Sequence, residues 1–199
     1  MDYHLHLLSM KKHIPSLFLI ILLSLIGCNT STSPLETAKT YYKALDQSDF
    51  KNLPSLLADS IVSKEIVYET VYSKKGYMEL QRWDSVFGPT YKILDIEEIN
   101  GKVKAKISKS CPRILFLNGE PIITQETITF NKGKIDSVTI HDYLVFNAKR
   151  WDSVRTNLVN FVDQNHKELD GFLYDQTVEG AIKYTKAIDL YLESTEQKK

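Results

Sequence analysis

The hydrophobic pattern changes its period at Tyr91, and this change limits the possible folds more than any other feature. Before Tyr91, apolar residues recur at helical spacing; after it, they alternate with polar residues, as in half-buried strands. Helices followed by strands predict an α+β fold, with N-terminal helices packed on a curved, mostly antiparallel sheet.

Three helices are predicted in the first half. The segment SPLE at 33–36 is typical of a helix start, with a capping serine, a proline at the first helical position and a glutamate that completes a capping box. Helical spacing then continues over 35–45. A second helix is predicted over 50–57, ending near 58–60, and a third over 77–87. Between the last two, residues 66–71 favour a short strand.

The second half predicts a meander of strands. Alternating segments lie at 91–99, 102–107, 114–117, 122–130 and 135–143. Asn100-Gly101 and Asn118-Gly119 separate two pairs of them, and this dipeptide is the strongest short signal for a hairpin. Beyond 147 the helical period returns in two amphipathic segments with a break at Gly171. They predict a C-terminal helical extension that packs on the outer face of the sheet, caps a pocket, holds a partner or simply enlarges the core.

The N-terminus has the pattern of an export signal. Lys11 and Lys12 precede an apolar run at 14–26, which is shorter than the ~20 residues of a membrane-spanning helix. The run ends in Leu25-Ile26-Gly27-Cys28, which resembles the bacterial lipobox. That resemblance implies cleavage before Cys28 and acylation of its sulfur by chains such as palmitate. It also implies lipid anchoring in the bacterial cell envelope, and a permanent transmembrane anchor is the weaker interpretation.

These observations divide the chain into four predicted parts. Residues 1–27 form a signal peptide and 28–34 a polar tether. Residues 35–146 form the α+β domain, and 147–199 form the helical extension. If Cys28 carries lipid, it cannot form a disulfide, and Cys111 is a lone thiol. Its strand-like surroundings predict a packed structural cysteine rather than a nucleophile.

Charge disfavours nucleic acid as a partner. The chain carries 25 basic and 25 acidic residues, so no net field attracts a polyanion. No pair of its five histidines has the spacing of a metal site, and no zinc is predicted. His141 and Asp142 are adjacent on a strand and face opposite ways, which rules them out as a dyad. With no phosphate-binding glycine loop and no nucleophile elbow, no cofactor is predicted.

The helical half also resembles a known superfamily. The residues YYKALDQSD at 41–49, followed by LLAD at 56–59, are similar to the opening of nuclear transport factor 2-like proteins. The order of elements over 35–146 is similar as well. This resemblance implies a cone whose curved sheet and helices enclose a pocket. The superfamily includes ketosteroid isomerase, polyketide cyclases, transport factors and uncharacterised lipoproteins, so the fold alone specifies no function.

The resemblance implies candidate site residues. Ketosteroid isomerase pairs an oxyanion hole, made by a tyrosine and a protonated acid, with a carboxylate base. Tyr41 falls at the tyrosine position, Glu126 at the acid and Glu65 near the base, although the family has Asp where this chain has Glu. The alternatives are that Tyr41 is plain core and Glu65 plain surface. Strand parity adds three pocket residues, which are Val138, Ile140 and Asp142.

Three functions remain open from the sequence. The leading hypothesis is a membrane-anchored, non-catalytic binding module for a small apolar ligand or a peptide. The first alternative is an isomerase- or cyclase-like enzyme that uses Tyr41, Glu65 and Glu126. The second is a structural subunit that joins an envelope assembly through its C-terminal helices.

Overall fold

The computed structural model of the protein describes residues 32–196. The predicted signal peptide and Cys28 lie outside this range. The helices are α1 (Pro34–Asp46), α2 (Leu53–Leu56), α3 (Lys74–Ser85), α4 (Pro112–Asn118), α5 (Ala148–Asn165) and α6 (Val178–Glu196). The strands are β1 (Leu57–Glu65), β2 (Tyr68–Ser73), β3 (Thr90–Ile99), β4 (Lys102–Ser110), β5 (Ile122–Asn131) and β6 (Lys134–Val145).

All six strands form one sheet in the order β2-β1-β6-β5-β4-β3. Among the described strands, β1 and β6 pair in parallel, and every other pair is antiparallel. The predicted α+β fold, with helices on a mostly antiparallel sheet, is confirmed. Register shifts interrupt the β5–β6 pairing, and such bulges bend and twist a sheet.

The first hydrophobic core lies between α1 and the inner sheet face. The capping prediction at Ser33 is confirmed, because its side chain accepts a hydrogen bond from the Glu36 amide. From that start, α1 buries one apolar face against inward residues of the sheet. The core includes Ala38, Tyr41, Tyr42, Leu45, Ile61, Val103, Ile107, Ile128 and Ile135. The helical spacing of the sequence therefore identified the buried face of α1.

Two predicted elements differ in the structure. The second helix covers only Leu53–Leu56, and Leu57 already begins β1, which forms a hairpin with β2 around Ile66. The short strand predicted at 66–71 corresponds to β2, whereas β1 was not predicted. Residues 114–117 are not a strand either, because they lie in α4. A short apolar run suits both states, and Pro112 at the helix start and Gly119 in the left-handed conformation at its end favour the helix.

The C-terminal helices build a second core. Leu158 and Val162 of α5 and Ala181, Tyr184 and Ile188 of α6 pack on α4 and on Phe87, just after α3. Cys111 belongs to this core, where it is buried as predicted, and its Sγ accepts a hydrogen bond from the Ile114 amide. Within residues 32–196, no helix combines the length and the apolarity needed to cross a membrane.

Candidate ligand cavity

A cavity of about 360 Å³ lies between the helices and the inner face of the sheet. Its apolar walls come from both halves of the chain, with side chains from α1, α3, α4, α5, β5 and β6. These include Leu45, Leu80, Trp83, Ile114, Ile122, Val138, Ile140 and Trp151. The predicted pocket positions Val138 and Ile140 are thus on its surface. Trp151 shows that the helical extension helps to close it.

Glu126 presents its carboxylate to this cavity, held by two hydroxyl groups. Tyr42 donates to Oε2 over 2.8 Å and Thr124 donates to Oε1 over 2.6 Å. Burial raises the pKa of Glu126 because the ionised form loses hydration, and both hydrogen bonds oppose that shift. Glu126 therefore faces the pocket as parity predicted, but its tyrosine partner is Tyr42 rather than Tyr41.

Tyr41 also lines the cavity, in a separate pair. Its hydroxyl is 2.5 Å from that of Tyr77 on α3, and both rings are buried. Burial raises the pKa of both phenols. Successive helix residues point about 100° apart, which explains why Tyr41 and Tyr42 reach different partners. Counting positions along the sequence does not resolve that difference.

Glu65 lies at the rim of the cavity at the end of β1. It is exposed, and its Oε1 accepts a hydrogen bond from Tyr143 of β6 over 2.6 Å. Burial, together with this carboxylate, raises the pKa of Tyr143. The three candidates Tyr41, Glu65 and Glu126 thus share one cavity, but each is hydrogen-bonded to a different residue rather than to one another.

Asp142 was predicted to line the pocket, and the structure places it elsewhere. Its side chain is exposed, and Tyr143 rather than Asp142 lines the cavity. The reason is a bulge in β6, where Gln125 pairs with Asp142 but the next residue, Glu126, pairs with Ile140. The extra residue, His141, bonds to Thr127 and shifts the alternation of faces.

A cluster of charges that the sequence did not predict lies at the side of the cavity nearest the second core. The buried Asp84 of α3 accepts hydrogen bonds from Tyr91 over 3.0 Å and from Lys109 over 2.8 Å. Lys109 also lies over the ring of Tyr91, with its Nζ 5.0 Å from the centroid. Arg113 of α4 is the third charge, with a guanidinium nitrogen 3.9 Å from Asp84.

Aromatic rings rather than carboxylates hold Arg113. Its guanidinium lies 4.7 Å from the ring centroid of Phe87 and 5.0 Å from that of Trp83. Trp151 and Tyr184 approach it to 5.9 and 5.8 Å. Arg113 Nε and Trp83 Nε1 are buried with no hydrogen-bond partner among residues 32–196. Sequence reasoning missed this cluster because it depends on α4 being a helix.

A second groove, of about 660 Å³, crosses the outer face of the sheet. It is lined by Lys104 and Lys106 of β4 and by Glu97 and Asp95, their cross-strand neighbours on β3. Opposite charges therefore alternate across an open, solvated surface. The inner cavity is the better candidate for a ligand site because its walls are largely apolar and its polar groups converge.

In the part of the chain that the structure describes, no cluster of three metal-ligating side chains is present.

Comparison with known proteins supports the fold. No protein-family model and no curated protein matches the chain. A protein from Kribbella flavida DSM 17836 has a TM-score of 0.51 at 17% identity, covering 63% of this chain and 96% of that one. This likeness shows the fold. The chain has the cone-shaped α+β fold that the resemblance implied.

Two further structures are similar at lower scores. A nuclear transport factor 2-like protein of unknown function from Cytophaga hutchinsonii has a TM-score of 0.45 at 14% identity, covering 54% of this chain and 87% of that one. The epoxide hydrolase/cyclase-like enzyme SalBIII has a TM-score of 0.46 at 15% identity, covering 58% and 91%.

Proposed function

We propose that the chain is a lipid-anchored envelope protein whose exported domain is a non-catalytic binding module. Its ligand is a small, largely apolar molecule held in the inner cavity, and its link to the membrane is the lipid on Cys28. The basic, apolar and lipobox segments of the N-terminus support the anchor.

The observation that carries the binding function is the cavity itself. A volume of about 360 Å³ falls within the ~300–1,000 Å³ of small-molecule sites. Apolar side chains make up much of its wall, while Glu126, Lys109 and Arg113 add a few charged groups at set positions. A filled cone would have supported a purely structural role instead.

The hydrogen bonds favour binding over catalysis. An oxyanion hole of the ketosteroid isomerase type requires a tyrosine and an acid that both donate to one point. Here the Tyr42 hydroxyl donates to Glu126, and the Tyr41 hydroxyl pairs with Tyr77. These groups are therefore engaged with each other before any ligand arrives.

An enzyme remains the second candidate because of one specific observation. Glu126 is a carboxyl group on the cavity surface with a raised pKa, which is the property of a general acid. Conversion of a bound ligand by the wild type but not by Glu126→Gln would favour this candidate over the binding module.

Native mass spectrometry of the purified full chain tests the proposed function. We expect the wild type to carry a small organic molecule that organic extraction removes. Ile140→Trp, which fills the cavity, should purify without it. Thr139→Trp, on the adjacent residue outside the cavity wall, is the matched control and should retain it. An empty wild type, or equal loading of the wild type and Ile140→Trp, would contradict the proposal.

A further inference from the structure

The cavity contains an unusual excess of positive charge on one side. Lys109 and Arg113 face a single buried carboxylate, that of Asp84. Asp84 is paired closely with Lys109, at 2.7 Å, whereas Arg113 remains 3.9 Å away, beyond hydrogen-bond distance. One of the two cations therefore lacks a close anionic partner.

The donors around Arg113 are incompletely satisfied. A guanidinium carries five N–H donors, and a buried donor without an acceptor is costly. Arg113 Nε and Trp83 Nε1 have no acceptor within the described range, 32–196. The side chain of Arg113 is only 12% exposed, so bulk water offers little compensation. Burial raises the pKa of Tyr184, and the charge of Arg113 and a side-chain hydrogen bond with Arg113 lower that pKa, so the unpaired Nε is the donor that remains for a ligand.

The other carboxylates of the cavity do not neutralise this cation. Both oxygens of Glu126 are occupied by Tyr42 and Thr124. Among the described residues, Glu126 forms no ion pair with Arg113, and the cation whose charge lowers its pKa is Lys109. Glu65 is bonded to Tyr143 at the rim. The ring faces of Trp83, Phe87 and Trp151 stabilise the guanidinium but provide no hydrogen-bond acceptor in its plane.

From this arrangement we infer that the ligand is an amphipathic carboxylic acid whose carboxylate binds beside Lys109 and Arg113, while its apolar part lies against Ile122, Val138 and Ile140. A carboxylate matches the planar fork of a guanidinium and satisfies several donors at once. A single negative charge suits a site with one spare cation, whereas a phosphate dianion would add repulsion from Asp84. This inference rests on the proposed function, because it specifies the ligand of the same cavity.

Two probes with the same alkyl chain, one with an anionic and one with a neutral head group, test the inference. Octanoate and octanamide share an alkyl chain, and at pH 7.5 only octanoate is anionic. The chain has two tryptophans, Trp83 and Trp151, and both line the cavity, so its tryptophan emission reports on this site. The titration uses the full chain in non-ionic detergent, stripped of bound small molecules, with protein-free micelles as the blank.

We expect octanoate to bind the wild type about tenfold more tightly than octanamide, as a charge-assisted hydrogen bond predicts. Arg113→Gln should abolish that preference by weakening octanoate binding more than octanamide binding. Lys104→Met is the matched control, because Lys104 lies on the face of β4 opposite to Lys109. This variant should retain the preference for octanoate.

The outcomes separate this inference from the proposed function. Equal affinities of the wild type for octanoate and octanamide would contradict the proposed carboxylate site, but they would still agree with the proposed function of the cavity as a ligand-binding site. A preference that survives in Arg113→Gln would also contradict the carboxylate site. If neither probe changes the tryptophan emission of the wild type, both the inference and the proposed function fail. Because the wild-type comparison needs no substitution, a misfolded variant does not prevent the test.

Discussion

Tyr42 on α1 donates a hydrogen bond over 2.8 Å to Glu126 on β5, which lies 84 positions further along the chain. This bond joins the first helix to the middle of the sheet and holds a carboxylate on the cavity surface. The next residue back, Tyr41, makes a bond between two neutral phenols instead. The two tyrosines are equally buried, so they allow a matched comparison.

Removing the Tyr42 hydroxyl should cost more stability than removing that of Tyr41. Tyr42→Phe deprives a buried carboxylate of a donor, and hydrogen bonds to charged groups contribute about 1.5–3 kcal/mol. Tyr41→Phe removes a neutral bond, with an expected cost of about 1 kcal/mol. Urea unfolding of both variants at pH 7.5 measures the difference. Equal losses would mean that the charge of Glu126 contributes nothing.

Glu126→Gln should change how stability depends on pH. Because the pKa of Glu126 is raised in the native state, that state holds a proton that the unfolded chain has already lost. Wild-type stability therefore falls as pH rises from the ordinary pKa of glutamate through the raised one, and is then constant. Glutamine does not titrate, so Glu126→Gln should keep the fold and gain stability relative to the wild type across that interval.

Unfolding free energies of the wild type and of Glu126→Gln, measured between pH 4 and pH 8, test whether the stability advantage of the variant grows with pH. The difference between the proteins isolates Glu126, because other titrating groups contribute equally to both. A difference that shrinks with rising pH would mean that the native-state pKa is lowered rather than raised.

The sequence predicted most elements because their signals are local. Ser33 caps α1 through its own side chain. Asn100 and Gly101 both adopt positive φ in the β3–β4 turn, at 52° and 72°, as this dipeptide commonly does in tight hairpins. α4 was mispredicted because Ile114 to Leu117 is too short a run to show a period, and the choice between helix and strand depended on Pro112 and Gly119.

The site was harder to predict than the fold. Strand parity correctly placed Glu126, Val138 and Ile140 on the cavity side. It also predicted Asp142 there, but the bulge at His141 turns Tyr143 toward the cavity instead. Bulges depend on pairing with a distant strand, and a single strand's sequence does not reveal them. The charge cluster was missed for a similar reason. Asp84, Lys109 and Arg113 meet only after α3, β4 and α4 have packed together.

The second core predicts that the C-terminal helices stabilise the whole domain. Leu158 of α5 is fully buried, whereas Leu192 of α6 is 43% exposed. Leu158→Ala should cost about 2–5 kcal/mol through lost burial and a residual cavity, and Leu192→Ala well under half of that. Denaturant unfolding of the two variants measures both losses. A small effect of Leu158→Ala would show that α5 is only loosely attached.

The lipid anchor predicts that labelling depends on Cys28. When cells that express the chain are grown with a fatty-acid analogue, the wild-type protein should incorporate the analogue and the Cys28→Ser variant should not. Cys111→Ser is the matched control, because Cys111 is buried in the second core and should not affect acylation. Labelling of Cys28→Ser at the wild-type level would refute the lipobox assignment.

The central claim is that the inner cavity holds a small ligand, and linkage between binding and unfolding tests it directly. The measurement is the unfolding free energy of the stripped wild type and of Ile140→Trp after adding back the organic extract of the purified wild type. A ligand that binds only the native state stabilises it by about 2.7 kcal/mol at a hundred times its Kd. Stabilisation of the wild type alone is the predicted result; an effect on both proteins, or on neither, would contradict the claim.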